Sequence, residues 1–168
     1  MTNDRACGII VTSDRDKEIL QMTTFTFNPT AHKNFGIAVE HGVCALYGID
    51  RVNHDNGAYH KGSDLCVGNM AMSIKSSRFS LMSATLCGGC EDFDGIWSIY
   101  EANTHSNCFV YGAKNGVAYI MTLAEFKMFV YEFCSLTRES KRNGGGVKIR
   151  CCAESQRMLR WLNMRVVA

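Results

Sequence analysis

The sequence predicts an α/β domain, and three observations carry that expectation. Short strand-like apolar runs alternate along the chain with segments whose apolar residues recur at helical spacing. Turn formers punctuate these runs, most clearly Gly68-Asn69 and Lys114-Asn115-Gly116. The length of 168 residues, with 46% hydrophobic and 20% charged positions, suits one domain that buries a sizeable core.

Ala6 to Ser13 reads as an apolar strand, and Met22 to Phe27 alternates like a second strand or extended edge. Pro29-Thr30 then opens a helix reaching about Tyr47, with Thr30 as its N-cap and Gly48 as its stop. Glu40 stands one turn from Ile37, Val43 and Cys44, so it edges the apolar stripe of that helix. It either snorkels at the rim or points into a polar site. Asp50 to Gly62 is polar and rich in turn formers, as expected of an exposed loop.

Gly68-Asn69 separates two short apolar runs by a two-residue turn, which predicts an antiparallel hairpin over Ser63 to Lys75. The pairing brings Asp64 close to Lys75. Such a pair is either a surface ion pair or the beginning of a site that holds a cation and orients a water. Arg78 to Thr85 is expected to form a third strand, and a Gly88-Gly89 break follows. Glu91 to about Asn103 is expected to be helical, its apolar stripe formed by Phe93, Ile96, Trp97, Ile99 and Tyr100. Cys108 to Tyr111 and Gly116 to Met121 read as a strand pair. Thr122 caps a helix from Leu123 to about Leu136. Gly144-Gly145-Gly146 reads as a hinge; it lacks the Gly-Lys-Ser/Thr ending of a phosphate-binding loop. A short strand, Val147 to Arg150, and an amphipathic helix, Glu154 to Asn163, complete the expectation.

The net charge of +2 hides an asymmetry. Residues 1 to 137 carry ten Lys or Arg against fourteen Asp or Glu, whereas residues 138 to 168 carry eight against two. A basic segment on an acidic domain is the footprint of contact with a phosphate backbone, and equally of a solvated helix face or of a site for an acidic protein partner. Lys141, Arg142, Lys148, Arg150, Arg157 and Arg160 supply its cations, with Arg78 nearer the hairpin. No apolar stretch approaches the roughly 20 residues that span a bilayer, and Met1 to Arg5 lacks the apolar core of a signal peptide. A cytoplasmic location with no membrane partner is therefore expected. Nine cysteines, including the adjacent Cys151-Cys152, then read as reduced thiols.

The order of elements, together with Glu40, Gly62-Ser63-Asp64 and Ser73-Ile74-Lys75, resembles the PD-(D/E)XK nucleases, the fold of many restriction endonucleases. The match runs over residues 30 to 125, with 138 to 168 as a basic C-terminal segment of the same single domain. The resemblance implies a central mixed β-sheet flanked by helices and metal-dependent hydrolysis of DNA. It implies a Mg²⁺ or Mn²⁺ ion held by Asp64 and Glu40, and a water and scissile phosphate positioned by Lys75. Many restriction enzymes of this kind dimerise, so a homodimer is also implied. Ser73 stands where the family's second acid usually is, and a hydroxyl brings no negative charge to a cation. Glu40 is the first substitute for that acid; Glu91, Asp92, Asp94 and Glu101 are others. Without a substitute, the scaffold would serve a non-catalytic binding or inhibitor protein.

Two further constellations are weak. Cys87-Gly-Gly-Cys90 has the spacing of half a zinc site, which Cys108 or Cys151-Cys152 would have to complete in space. Histidines 32, 41, 54, 60 and 105 form no ligand spacing.

Overall fold

The computed structural model describes residues 22–49, 64–81, 90–139 and 146–166. The expected strand at Ala6 to Ser13, the loop from Asp50 to Gly62, the Gly88-Gly89 break and Cys87 lie outside them, as do Lys141 and Arg142.

Twelve elements are described: strand β1 (Thr23–Thr26), helix α1 (Phe35–Tyr47), β2 (Leu65–Val67), β3 (Met70–Ser76), β4 (Ser80–Leu81), α2 (Phe93–Asn103), β5 (Cys108–Gly112), β6 (Val117–Thr122), α3 (Leu123–Phe133), β7 (Cys134–Glu139), β8 (Gly146–Cys151) and α4 (Gln156–Asn163). They build a mixed five-stranded sheet in the order β1-β6-β5-β3-β2 and a three-stranded sheet in the order β4-β8-β7. The expected α/β class and mixed sheet are both present.

The β2–β3 hairpin forms as its turn chemistry dictates. Val67 pairs with Met70, leaving Gly68-Asn69 as the two-residue loop, and Gly68 takes φ +55, a conformation that costs a residue with a Cβ. Asn107 fastens the hairpin to the next strand. Its side chain accepts from the Ala71 amide and donates to the Asn69 carbonyl, both at 2.9 Å. From β3 the chain crosses through α2 and returns as β5, which runs parallel to β3 with Ser73 beside Phe109 and Lys75 beside Tyr111.

Alternation along β3 and β5 sends their residues to two separate cores. Met72, Cys108 and Val110 point to the side covered by α1, where they meet Val39, Val43, Leu65 and Ala118. Phe109 and Tyr111 point to the other side, where α2, α3, α4 and the small sheet close over Trp97, Phe126, Phe129, Ile149 and Met158. Phe109 and Phe126 stack there with centroids 4.3 Å apart.

Several boundaries differ from the sequence reading. Asn34, not Thr30, caps α1: its side chain accepts from the Gly36 amide, while Thr30 is held by Asn28 in a local turn. Asp92 caps α2, and Ser155 caps α4. The strand expected over Arg78 to Thr85 is described only at Ser80–Leu81, and it joins the small sheet. Arg78 sits at φ +73, outside strand geometry. Helix α3 stops at Phe133, because Cys134 onward pairs with β8, and tertiary pairing outweighs helical propensity there. Of the glycine run read as a hinge, Gly144 and Gly145 lie outside the described residues, and Gly146 is the first residue of β8, where it pairs with Glu139.

Candidate functional site

The register Leu65↔Met72 sets Asp64 opposite Ser73, on the face of β3 away from α1. The Asp64 amide donates to the Met72 carbonyl at 2.7 Å. Beyond this point β3 has no backbone partner on the β2 side among the described residues, and the Asp64 side chain continues the ladder. Its Oδ2 accepts the Ile74 amide at 2.6 Å and stands 3.4 Å from the Ser73 hydroxyl. The other carboxylate oxygen, Oδ1, accepts no hydrogen bond among the described residues. One half of the carboxylate is structural, and the other half has no partner among the described residues.

Lys75 projects from the same face, two residues beyond Ser73. Among the described residues its ammonium makes no hydrogen bond and no ion pair within 4.0 Å. The bland expectation of a closed Asp64–Lys75 ion pair is thus not met. Burial pulls Lys75 below the ordinary lysine range, and the negative charge of Asp64 pulls it partly back. The result is a partly buried cation with three donors and an acid nearby but not in contact.

Tyr100, on α2, closes the group from above. Its hydroxyl lies near the Thr104 and Ser73 side chains. Burial pushes the phenol up to about 12, and Asp64 acts in the same direction. Ser73 is 1% exposed under these neighbours. Its hydroxyl orients Asp64 instead of facing solvent. Sequence reasoning placed Tyr100 in an apolar stripe, since helical spacing alone does not show that a hydroxyl at the end of that stripe meets a strand 27 positions earlier.

The substitutes for the missing acid are placed elsewhere. Glu40 is on α1, which packs against the opposite face of the sheet from Ser73 and Lys75. Glu91 pairs with Arg138 at 2.7 Å. Asp92 caps α2 by accepting from the Gly95 amide at 2.7 Å. Asp94 accepts from the Tyr131 hydroxyl at 2.8 Å. Glu101 accepts from the Trp97 ring nitrogen at 3.0 Å and lies 3.6 Å from the Lys127 ammonium. The structure therefore brings Asp64, Ser73 and Lys75 together, adds Tyr100, and leaves out all five alternatives.

The basic residues also separate. Arg157 pairs with Glu132 and lies over the Phe133 ring. Arg165 stacks on Trp161, its guanidinium carbon 3.7 Å from the ring centroid. Arg78, Arg150 and Arg160 are exposed and have no carboxylate partner among the described residues. Lys148 is half-buried on β8.

Cys87 lies outside the described residues, and among those described nothing completes a zinc site with Cys90. Cys90 lies by Asp92, Cys108 belongs to the α1-side core, and Cys151 belongs to the opposite core. No group of three His, Cys, Asp or Glu residues suited to a metal occurs among the described residues. Cys134 and Cys151 face each other across β7 and β8, where their mutual contact, and then burial, raise the Cys134 thiol pKa. His32 and His41 meet with ring centroids 5.9 Å apart. His41 lines an open cleft of about 600 Å³ between α1 and the β1 segment, away from Lys75. No described helix is long and apolar enough to cross a membrane.

No protein-family model matches the chain, and no curated protein or solved structure is significantly similar to it.

Proposed function

We propose that the chain binds a phosphodiester backbone at Lys75 and hydrolyses it, as a metal-dependent DNA endonuclease of the PD-(D/E)XK kind. The observation that carries this reading is the partly buried Lys75 ammonium near the Asp64 carboxylate, with neither that ammonium nor Asp64 Oδ1 holding a partner among the described residues. An ammonium that is partly withdrawn from water and has no ion-pair partner among the described residues gains from an anion from outside, and a phosphate oxygen fits a point cation of this kind.

Mg²⁺ and Mn²⁺ favour oxygen donors, and Mg²⁺ is commonly held through one or two carboxylates with water and substrate phosphate completing the shell. Asp64 Oδ1 meets the lower end of that requirement and is the residue that would hold the ion. A cation bound there would polarise a phosphoryl oxygen and lower the pKa of a bound water. The chain's own contributions are clear. The Ile74 amide and Ser73 hydroxyl fix the orientation of Asp64, Tyr100 limits solvent above Ser73, and Lys75 offsets negative charge that grows on the phosphate.

A second reading is favoured by the single carboxylate at the site: the same scaffold binding DNA without cutting it. Both readings use Lys75 and differ in whether Asp64 supports hydrolysis. Supercoiled plasmid incubated with Mg²⁺, with Mn²⁺ and with chelator separates them. Metal-dependent nicking or linearisation, lost in Asp64→Ala and Lys75→Ala variants with unchanged circular dichroism, is the expected result. Absence of cleavage on plasmid and on genomic DNA alike would overturn hydrolysis in favour of binding alone.

A further inference from the structure

Cys134 and Cys151 are directly opposed across β7 and β8, and the backbone hydrogen bonds around them fix the kind of pair they form. The Cys151 amide donates to the Phe79 carbonyl at 3.0 Å, on the β4 side, so it points away from β7. The Cys152 amide donates to the Phe133 carbonyl at 2.9 Å, which makes that next pair the hydrogen-bonded one. Cys134 and Cys151 therefore occupy a non-hydrogen-bonded position, where opposed Cα atoms stand about 4.5 Å apart and the two side chains approach closely on one face. A disulfide takes Cα separations of roughly 4.4–6.8 Å. The strand pairing suits that bond without backbone movement, and both thiols are free.

No other two cysteines are opposed in the described strand pairings. Cys44 and Cys108 lie in the α1-side core, and the exposed Cys152 is set against Phe133. The two members of the pair differ in access. Cys151 is 2% exposed, whereas Cys134 is half-buried at the margin of the same core. A reagent from solvent meets Cys134 first and reaches Cys151 only through it. Contact with Cys151, and then burial, hold the Cys134 thiol above its ordinary pKa, so a lasting thiolate is disfavoured there. A disulfide is neutral and brings no charge into the core. Thiols of high pKa are also poor leaving groups, which slows reduction of the bond once it has formed.

We propose that Cys134 and Cys151 are a redox-modification site that forms a reversible cross-strand disulfide, with Cys134 as the entry thiol and a low-molecular-weight disulfide as the oxidant. Cys134 gives up its proton, and its sulfur attacks one sulfur of the oxidant. The oxidant's S–S bond breaks, and the first small thiolate leaves and takes up a proton. Cys151 then loses its proton and attacks the Cys134 sulfur of the mixed disulfide, displacing the second small thiol. Two protein thiols are oxidised by two electrons in total, and one disulfide is reduced to two thiols. The new bond clamps β7 to β8 at the point where α3 ends. The proposal is independent of the DNA reading above.

Full-length protein incubated overnight with oxidised glutathione, blocked with iodoacetamide in denaturant and digested without reductant, tests it by mass spectrometry. The expected product is a monomer carrying a Cys134–Cys151 link that dithiothreitol removes. The link should persist in Cys152→Ser and be absent from Cys151→Ser and Cys134→Ala. Closing the chain between residues 134 and 151 should raise the thermal unfolding midpoint of Cys152→Ser by roughly 6–12 °C over its reduced form, and Cys134→Ala should show no such rise. Four results would overturn the proposal: both thiols still free, glutathione retained on Cys134, a link that is lost in Cys152→Ser, or a link between two copies of the chain. The first two are read on the parent protein, so they do not depend on the folding of a variant.

Discussion

Lys75 and Asp64 form a coupled but open pair, and that arrangement has measurable consequences. Asp64 raises the pKa of Lys75 against the effect of burial, so Asp64→Asn should shift Lys75 to titrate at still lower pH. Side-chain NMR of the lysine Cε and its protons reads this directly; an unchanged titration would show that the two groups are not coupled. Stability follows from the same shift. The folded-state pKa of Lys75 lies below its ordinary value of 10.5. Between those two values the unfolded chain binds more protons, so this group makes stability rise with pH across that window. Below the folded-state pKa the full penalty of charging a partly buried amine remains. Lys75→Met removes that penalty and should be at least as stable as the parent near neutral pH, with a flatter pH dependence in the alkaline range, by chemical denaturation. Loss of DNA binding or cleavage alongside retained stability is the expected signature of a functional lysine. Asp64 and Lys75 were readable from a turn dipeptide and the spacing of two charges. Tyr100 was not, because its contact with Ser73 joins a helix to a strand distant in the chain.

At the scale of elements, the site depends on how closely α1 lies on the central sheet and how firmly α3 is started. Gly112 on β5 allows the Val39 side chain of α1 to approach the backbone, and an alanine Cβ there would overlap both Val39 methyl groups. Val39 is β-branched and stiff, so Gly112→Ala should cost about 1–3 kcal/mol by overpacking. A calorimetric melting point equal to the parent's would show that α1 shifts freely. Thr122 and Glu125 form a reciprocal capping box at the start of α3, and Thr122→Ala should cost about 1 kcal/mol in urea denaturation. The Thr122 cap was correctly legible in the sequence because capping is local chemistry. The cap of α1 was misplaced by four residues, since Thr30 and Asn34 are both good capping types and the choice depends on where the sheet lets the helix begin. The end of α3 was misplaced for a related reason: β7 exists only because β8 is beside it.

The whole molecule is one interdependent packing. β8 is the middle strand of the small sheet, and Met158 and Leu162 of α4 are fully buried in the larger core. Tyr119 donates to the Asn163 side chain at 2.7 Å, and Met22 pairs with Val166, which ties the start of β1 to the end of the described chain. The described part of the basic stretch, with β8 and α4, is therefore part of the folded body. Truncation after residue 145 should abolish cooperative thermal unfolding by circular dichroism; a truncated chain that melts like the parent would restore the picture of a separable tail. The charge asymmetry seen in the sequence is also redistributed by folding, because Glu91, before α2, and Glu132, on α3, pair with Arg138 and Arg157.

The sequence by itself determined what local chemistry controls: the alternation of helices and strands, the β2–β3 turn, the Thr122 cap, the stop at Gly48, and the nearness of Asp64 to Lys75. Each follows from dihedral preference, hydrogen bonding or periodicity within a few residues. Tertiary structure alone decided which acid lies near Lys75, which arginines have carboxylate partners among the described residues, and that Ser80, Arg150 and Ser135 stand opposite one another. Those outcomes depend on strand order, on which face each helix covers and on register between strands remote in sequence, and no local preference encodes them.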